Sequence, residues 1–264
     1  MIRDITIGQY YPADSVLHRL DPRVKLVGTL TFLISLFLFN NLIGYVVAGL
    51  FLATMIKISK VPFSFIVRGL KTIVILMLFT VVFNLFLTDG TILWQWKFIK
   101  ITIEGIQTAV FMALRLTFLI IGSSLMTLTT TPNQLTDGLE TGLELLKKFH
   151  VPVHEISMMM SIALRFIPIL LEETDKIMKA QQARGADFEE GKLMERVKAL
   201  VPMLVPLFVS AFHRANDLAM AMEARCYRGG DGRTKMKPLI YKKQDRIAYL
   251  TIVAYLVLCV VIGR

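Results

Sequence analysis

The chain has 264 residues, of which 55% are hydrophobic and 17 are phenylalanine, and its formal net charge is +10. A soluble domain of this length cannot bury so large an apolar fraction, so the composition predicts an integral membrane protein and excludes an ordinary soluble enzyme. In so apolar a chain, excess Lys and Arg is typical of cytoplasmic loops beside anionic head groups. We therefore expect the lipid bilayer as a partner and no nucleic acid.

Long uncharged runs predict the membrane-spanning helices. The first run, Leu26 to Ile56, has 31 residues, about 46 Å as one helix against a hydrocarbon core of about 30 Å. Asn40-Asn41 can turn the chain in its middle; one tilted helix followed by a surface segment is the alternative. Five spans are predicted, near 25–39, 42–57, 66–87, 105–128 and 246–263, with a loop containing Trp94 and Trp96 at 88–105.

The distribution of Lys and Arg orients these spans. Residues 57–71 carry four basic and no acidic side chains, whereas residues 88–105 carry two of each. Basic loops stay on the cytoplasmic side, so the N-terminus, the 57–71 loop and the segment 129–245 are predicted to be cytoplasmic. Residues 1–25 carry charges where a signal peptide would have an apolar core, which predicts a retained, short soluble arm.

Arg115 lies inside the predicted fourth span. A charge at that depth is costly and usually faces a bundle interior, a cavity or a polar partner. We interpret it as a structural intramembrane charge paired with a backbone carbonyl or a Ser/Thr hydroxyl, with contact to a substrate as the alternative.

The segment after the fourth span mixes 18 basic and 15 acidic residues between positions 129 and 246, which predicts long amphipathic helices along the membrane interface. Their predicted bounds are 132 to about 152, just after Pro152 to about 183 with a kink at Pro168, and about 194–225 with interruptions at Pro202 and Pro206. In the second helix, Glu172–Lys176 and Asp175–Lys179 are predicted i,i+4 ion pairs.

The predicted fold is therefore an all-α integral membrane protein with about five transmembrane helices and three long amphipathic helices. Its predicted divisions are residues 1–131 with the N-terminal arm and four spans, 132–245 with the amphipathic helices, and 246–264 with the last span.

No catalytic motif is complete. Gly185 to Lys192 resembles a phosphate loop, but five residues separate Gly185 from Gly191 where four are required, and Leu193 replaces the magnesium-binding hydroxyl. His154-Glu155 opens a zinc-protease motif in which Met158 stands where the second histidine must be. We predict no enzyme, no metal site and no cofactor in this chain.

Two similar tripeptides, Ala183-Arg184-Gly185 and Ala224-Arg225-Cys226, end the second and third amphipathic helices. An arginine there can cap the helix by complementing its dipole. It can also present a planar fork of donors that pairs bidentately with a carboxylate on another surface. Because two such ends occur on one chain, flanked by Gly185 and Cys226, docking on two partner surfaces is as well supported as helix capping.

The sequence resembles the transmembrane T component of energy-coupling factor transporters. The resemblance covers nearly the whole chain, and the motifs that carry it are Leu20-Asp21-Pro22-Arg23-Val24-Lys25, Thr130-Thr131-Pro132, Leu164-Arg165-Phe166-Ile167-Pro168 and the two arginine tripeptides.

This resemblance implies that Arg184 and Arg225 end coupling helices that dock on two ATP-binding-cassette ATPases, as a homodimer or a heterodimer. It implies that ATP and Mg bind to those ATPases, and that the coupling helices hold a membrane-embedded, substrate-binding S component for uptake of vitamins or other micronutrients. It further implies the cell membrane of a prokaryote. The alternative is an ordinary cassette-transporter permease or a secondary transporter with its own substrate pathway.

Overall fold

The computed structural model describes residues 10–88, 90–96, 99–186, 193–230 and 238–263. The predicted soluble arm is thus described only from Tyr10 onwards, and residues 1–9 lie outside the described part. Within these ranges the helices are α1 (Val16–Arg19), α2 (Pro22–Ser35), α3 (Leu42–Ser59), α4 (Phe63–Leu87), α5 (Ile103–Thr129), α6 (Pro132–Gly142), α7 (Val153–Ala183), α8 (Leu193–Ala224) and α9 (Lys243–Gly263).

The predicted all-α membrane fold is confirmed, and a short hairpin is added to it. Strands β1 (Ile92–Trp96) and β2 (Ile99–Thr102) pair antiparallel where the sequence predicted only a loop. The predicted turn at Asn40-Asn41 is present, since α2 ends at Ser35 and α3 begins at Leu42.

Four helices among the described residues are long and apolar enough to cross a membrane: α3, α5, α7 and α9. This set lacks α2 and α4 of the predicted spans and adds α7. α2 has 14 residues, short for a crossing, whereas α7, predicted as interfacial, qualifies with a mean hydropathy of 1.4, the lowest of the four. In the part of α4 whose side chains are described, Ile73–Leu87 forms a shorter apolar stretch.

The first amphipathic helix is shorter than predicted. α6 ends at Gly142, and a 3₁₀ helix at Glu144–Phe149 continues the chain towards Pro152. Gly142 is the last residue of α6, and a glycine in a helix costs about 1 kcal/mol relative to alanine, which favours an end at this position. The bounds of α7 and α8 agree with the predicted second and third helices.

The chain divides into two compact units. The core unit comprises residues 8–141 and 239–264, and the arm unit comprises residues 142–238 together with residues 1–7, which lie outside the described part. Each unit has its own organisation.

The core unit is built around a continuous set of buried side chains from α2, α3, α5 and α9. Tyr45 is 2% exposed, and its ring lies 5.2 Å from the ring centroids of both Phe39 and Phe111. The Phe51 and Tyr255 rings stack with centroids 4.2 Å apart. Such offset aromatic contacts stabilise a core beyond the area they bury.

Buried polar contacts tie the start of α2 to the start of α9. Asp21 caps α2 by accepting a hydrogen bond from the Arg23 N–H at 3.0 Å, as an N-cap residue before a first-turn proline should. The Asp21 N–H donates to Asp245 Oδ1 at 2.9 Å, and the Lys25 ammonium donates to the Thr129 carbonyl at 2.9 Å. This network was not predicted, because its partners are far apart in sequence.

The arm unit contains an antiparallel pair of helices, α7 and α8, which we call the two arms. The Gln181 amide near the end of α7 donates to the Pro202 carbonyl near the start of α8 at 3.3 Å. Nearer the middle of both helices, Arg214 pairs with Glu173. Pro168 lies inside α7, and Pro202 and Pro206 lie inside α8, as predicted.

Candidate functional site: two arginine-tipped helix ends

The end of α7 is a Schellman motif, which is a common helix C-terminal cap. Arg184 occupies the C-cap position directly after the helix. The Gly185 N–H donates to the Gln182 carbonyl at 3.0 Å, and the Ala186 N–H donates to the Gln181 carbonyl at 3.0 Å. Gly185 has a φ of +89°, the left-handed conformation that this motif requires.

The end of α8 repeats this motif residue by residue. The Cys226 N–H donates to the Glu223 carbonyl at 2.8 Å, and the Tyr227 N–H donates to the Met222 carbonyl at 3.0 Å. Cys226 takes the left-handed position with a φ of +56°, although a residue with a Cβ is strained there by about 1–2 kcal/mol. Arg225 therefore occupies the same C-cap position as Arg184.

Both arginines are presented outwards. All six residues of the two tripeptides, Ala183, Arg184, Gly185, Ala224, Arg225 and Cys226, are exposed. Among the described residues, neither guanidinium has an ion pair within 4.0 Å or a side-chain hydrogen bond. Small neighbours on either side let another surface approach each guanidinium closely.

The two ends do not form a single site. Because α7 and α8 run antiparallel, Arg184 lies near the start of α8 and Arg225 lies near the start of α7. A cleft of about 460 Å³ beside Arg225 is lined by Met158, Ile162 and Met222, among others. The arrangement offers two separate cationic positions of the same local geometry.

Arg115 lies inside the core unit on α5. Its Nε donates to the Leu36 carbonyl at 3.1 Å, and its Nη2 donates to Asn40 Oδ1 at 2.7 Å. The guanidinium carbon lies 5.2 Å from the centroid of the Phe37 ring, within the range of a cation–π contact. The side chain thus satisfies the backbone carbonyl of Leu36, the C-cap residue of α2, at a helix end that leaves its last acceptors unpaired. Its second acceptor is the Asn40 side-chain amide oxygen in the turn that follows.

Sequence reasoning missed an ion pair between the two arms. The predicted Glu172–Lys176 and Asp175–Lys179 pairs are absent from the described ion pairs. Instead, Arg214 Nη2 lies 2.5 Å from Glu173 Oε2. No local spacing rule finds so distant a partner on another helix. The sequence does show that Glu173 precedes Arg184 by the same interval as Arg214 precedes Arg225, and this equality could have indicated the pair.

Comparison with known proteins identifies the family. The model of the CbiQ family, described as cobalt transport protein, matches residues 13–236. The chain belongs to the CbiQ family. The family's description mentions cobalt. Among the described residues, however, no group of three or more His, Cys, Asp or Glu side chains could hold a metal ion.

Curated relatives of this CbiQ-family chain carry the name energy-coupling factor transporter transmembrane protein EcfT. The protein of Clostridium kluyveri is 58% identical over 252 residues, covering 95% of this chain and 93% of its own length. That of Bacillus subtilis is 50% identical over 254 residues and 96% of both chains. That of Lactococcus lactis subsp. cremoris is 44% identical over 260 residues and 98% of both chains.

These matches confirm the family resemblance that the sequence motifs indicated. The chain is a member of a family of energy-coupling factor transporter transmembrane proteins, it is a membrane transport subunit with several apolar helices, and its relatives are bacterial.

Proposed function

We propose that this chain is the coupling subunit of an energy-coupling factor importer. Two ATP-binding-cassette ATPases, identical or different, bind ATP and Mg and dock on the two arginine-tipped helix ends. Their closure moves α7 and α8, and the helices transmit that movement to a membrane-embedded S component, which binds a vitamin or another micronutrient. The chain itself has no catalytic role.

The repeated cap geometry is the observation that carries this proposal. A helix dipole favours a C-terminal cation by only about 0.3–1 kcal/mol at an exposed position, which does not require arginine or the same small neighbours twice. A guanidinium held at a fixed C-cap and free of partners in the described chain can pair bidentately with a carboxylate on another protein. Two matching ends suit two related ATPases.

The exposed apolar faces of the arm unit support an S component as a further partner. Large apolar side chains on α8, including Val205, Phe208 and Phe212, are more than half exposed. Met159 on α7 is 59% exposed, and thioethers adapt to more than one opposing shape. An apolar membrane protein bound to these faces would bury them.

We further propose that the N-terminus and both arms face the cytoplasm of a prokaryotic cell. α7 meets the length and hydropathy of a span, but its second half carries a run of charges at Glu172, Glu173, Asp175, Lys176 and Lys179. Burying that run in hydrocarbon would be costly, so an interfacial position at the cytoplasmic side suits it better. The orientation is tested with Lys179→Cys and a membrane-impermeant thiol reagent. The reagent is applied first from one side of the membrane and then from the other.

The docking role is tested by replacing both arginines. Arg184→Ala with Arg225→Ala should leave the chain in the membrane, abolish uptake and weaken co-purification of the ATPases, because breaking a partly desolvated charge pair costs about 2–5 kcal/mol. The matched control is Lys179→Ala with Arg228→Ala, which removes one exposed charge near each end. Normal uptake by the double arginine variant would refute the proposal.

The same purification separates the alternative of a permease. A tagged chain that carries its own substrate pathway should retain substrate binding without a small apolar partner. A coupling subunit should bring along two ATPase subunits and an S component.

A further inference from the structure

The Glu173–Arg214 ion pair joins the two arms at one point. Arg214 Nη2 and Glu173 Oε2 are 2.5 Å apart. Both side chains are partly shielded, with exposed fractions of 39% for Arg214 and 27% for Glu173.

Arg214 depends on this partner. Its Nε is buried and has no hydrogen-bond acceptor among the described residues. The guanidinium also borders a cavity of about 290 Å³ whose other lining residues are apolar, including Phe166, Leu170 and Ala215. Removing the Glu173 carboxylate would leave the partly exposed Arg214 guanidinium without its counter-charge, while its buried Nε still lacks an acceptor among the described residues.

The pair occupies equivalent positions on the two arms. The interval from Glu173 to Arg184 equals the interval from Arg214 to Arg225. Each interval is about three turns of an α-helix, so on each arm the ion-pair residue and the docking arginine share one helix face. Because the arms are antiparallel, the two arginines lie at equal distances from the pair in opposite directions, about 33 Å apart along the arms.

No proline interrupts the helical segments between the ion pair and the two arginine-tipped helix ends, which we call the tips. Pro168 precedes Glu173, and Pro202 and Pro206 precede Arg214, so every proline inside these helices lies before the ion-pair residue. Prolines are where helices bend. Each tip is therefore connected to the pair by regular helix without a bend.

From this geometry we propose that Glu173 and Arg214 are positioning residues for coupling, and the inference rests on the proposed function. The pair fixes the crossing point and the rotation of α7 relative to α8. It thereby sets the separation and the facing direction of the two docking arginines, so that movement of one tip by an ATPase is transmitted to the other arm.

The first test measures the distance between the tips in the full-length chain. Spin labels on Gln182→Cys and Glu223→Cys, both exposed, with Cys226→Ser, report the tip separation by pulsed electron resonance. We expect one narrow distance distribution, a broad one after Glu173→Gln, and a narrow one again in the charge swap Glu173→Arg with Arg214→Glu. Glu172→Gln, an exposed neighbouring carboxylate, is the matched control and should remain narrow.

An unchanged distribution in Glu173→Gln would overturn the inference, and so would a charge swap that stays broad. Neither outcome depends on whether ATPases dock, so the distance measurement fails or succeeds separately from the proposed function.

The second test measures coupling in the assembled complex. Glu173→Gln should lower uptake per ATP hydrolysed by about tenfold, a size typical of coupling between two sites, while both ATPases still co-purify. The charge swap should restore most of the uptake, a rescue that a general packing defect would not show. Wild-type uptake by Glu173→Gln would contradict the assignment.

Discussion

The core unit and the arm unit bury their apolar side chains to very different extents. In the core unit, Phe32, Leu36, Tyr45 and Leu125 belong to one cluster of buried residues contributed by several helices. Among the side chains of the arm unit that the structure describes, only Val153 and Ser157 are buried. One unit is held together by its own side chains, and the other presents its side chains outwards.

The two units are therefore stabilised by different interactions. The core unit is organised by close packing, in which the loss of any large side chain leaves a void. The arm unit keeps its shape through helix caps, an inter-helix ion pair and few apolar contacts, so its exposed faces are left for partners. Substitutions in the two units should therefore change different measurable quantities.

The largest effect on stability is expected at the centre of the core unit. Tyr45→Ala removes a ring that contacts Phe39 and Phe111 and should lower the free energy of unfolding by about 3–5 kcal/mol. Val46→Ala is the adjacent control, because Val46 is 54% exposed. Thermal midpoints of the two variants in one detergent measure the contrast, and equal midpoints would remove the basis for calling this region the core.

A smaller loss of stability is expected at the hydrogen bonds that connect the start of α2 to the start of α9 in the core unit. Asp245 is 2% exposed and accepts hydrogen bonds from the N–H groups of Asp21 and Lys242 at 2.9 and 2.7 Å. Asp245→Ala leaves both donors unpaired and should cost about 1–3 kcal/mol. The exposed Asp217 in the arm unit is the comparison, and Asp217→Ala should shift the thermal midpoint little.

Substitutions at the left-handed residues of the two helix caps should change the stability of the helix ends in opposite directions. Cys226→Gly relieves the strain of a left-handed residue and should stabilise the end of α8 by about 1 kcal/mol, whereas Gly185→Ala introduces that strain at the end of α7. Nothing lies within 4 Å of a Cβ built at Gly185, so conformation alone sets the effect. Hydrogen exchange of the Tyr227 and Ala186 amides measures each change, and shifts of the same sign would exclude the matched-cap interpretation.

The smallest effect on stability is expected on the apolar face of the arm unit. Phe212 is 67% exposed, so Phe212→Ser should change the thermal midpoint of the isolated chain little, by about 0.5 kcal/mol or less. The same substitution should reduce co-purification of an S component, because it places a hydroxyl on a face proposed to be covered. Strong destabilisation of the isolated chain would show that the face is already packed.

Much of this organisation could be predicted from the sequence because its determinants are local. Asn40-Asn41 marked the break between α2 and α3, Pro152 marked the start of α7, and the two tripeptides marked the ends of α7 and α8. Prolines, glycines and caps act on the backbone within a few residues of themselves.

The remaining features depend on contacts between distant segments. Glu173 has Lys176 nearby, yet it pairs with Arg214 because the register of two antiparallel helices brings their charges together. The left-handed conformation of Cys226 also could not be predicted, since residues with a Cβ rarely adopt it. The β1–β2 hairpin replaced a predicted loop because strand pairing depends on two segments together. The docking role of Arg184 and Arg225 stays a prediction.

Thiol accessibility at the two tips tests the central claim most directly. Cys226 is exposed and Cys259 is buried, so a maleimide should label the isolated chain at Cys226, and Ala183→Cys adds a matched probe at the other tip. If each tip docks on an ATPase, labelling at both positions should slow strongly in the assembled complex and recover when the ATPases are removed. Equal labelling rates with and without the ATPases would contradict the account.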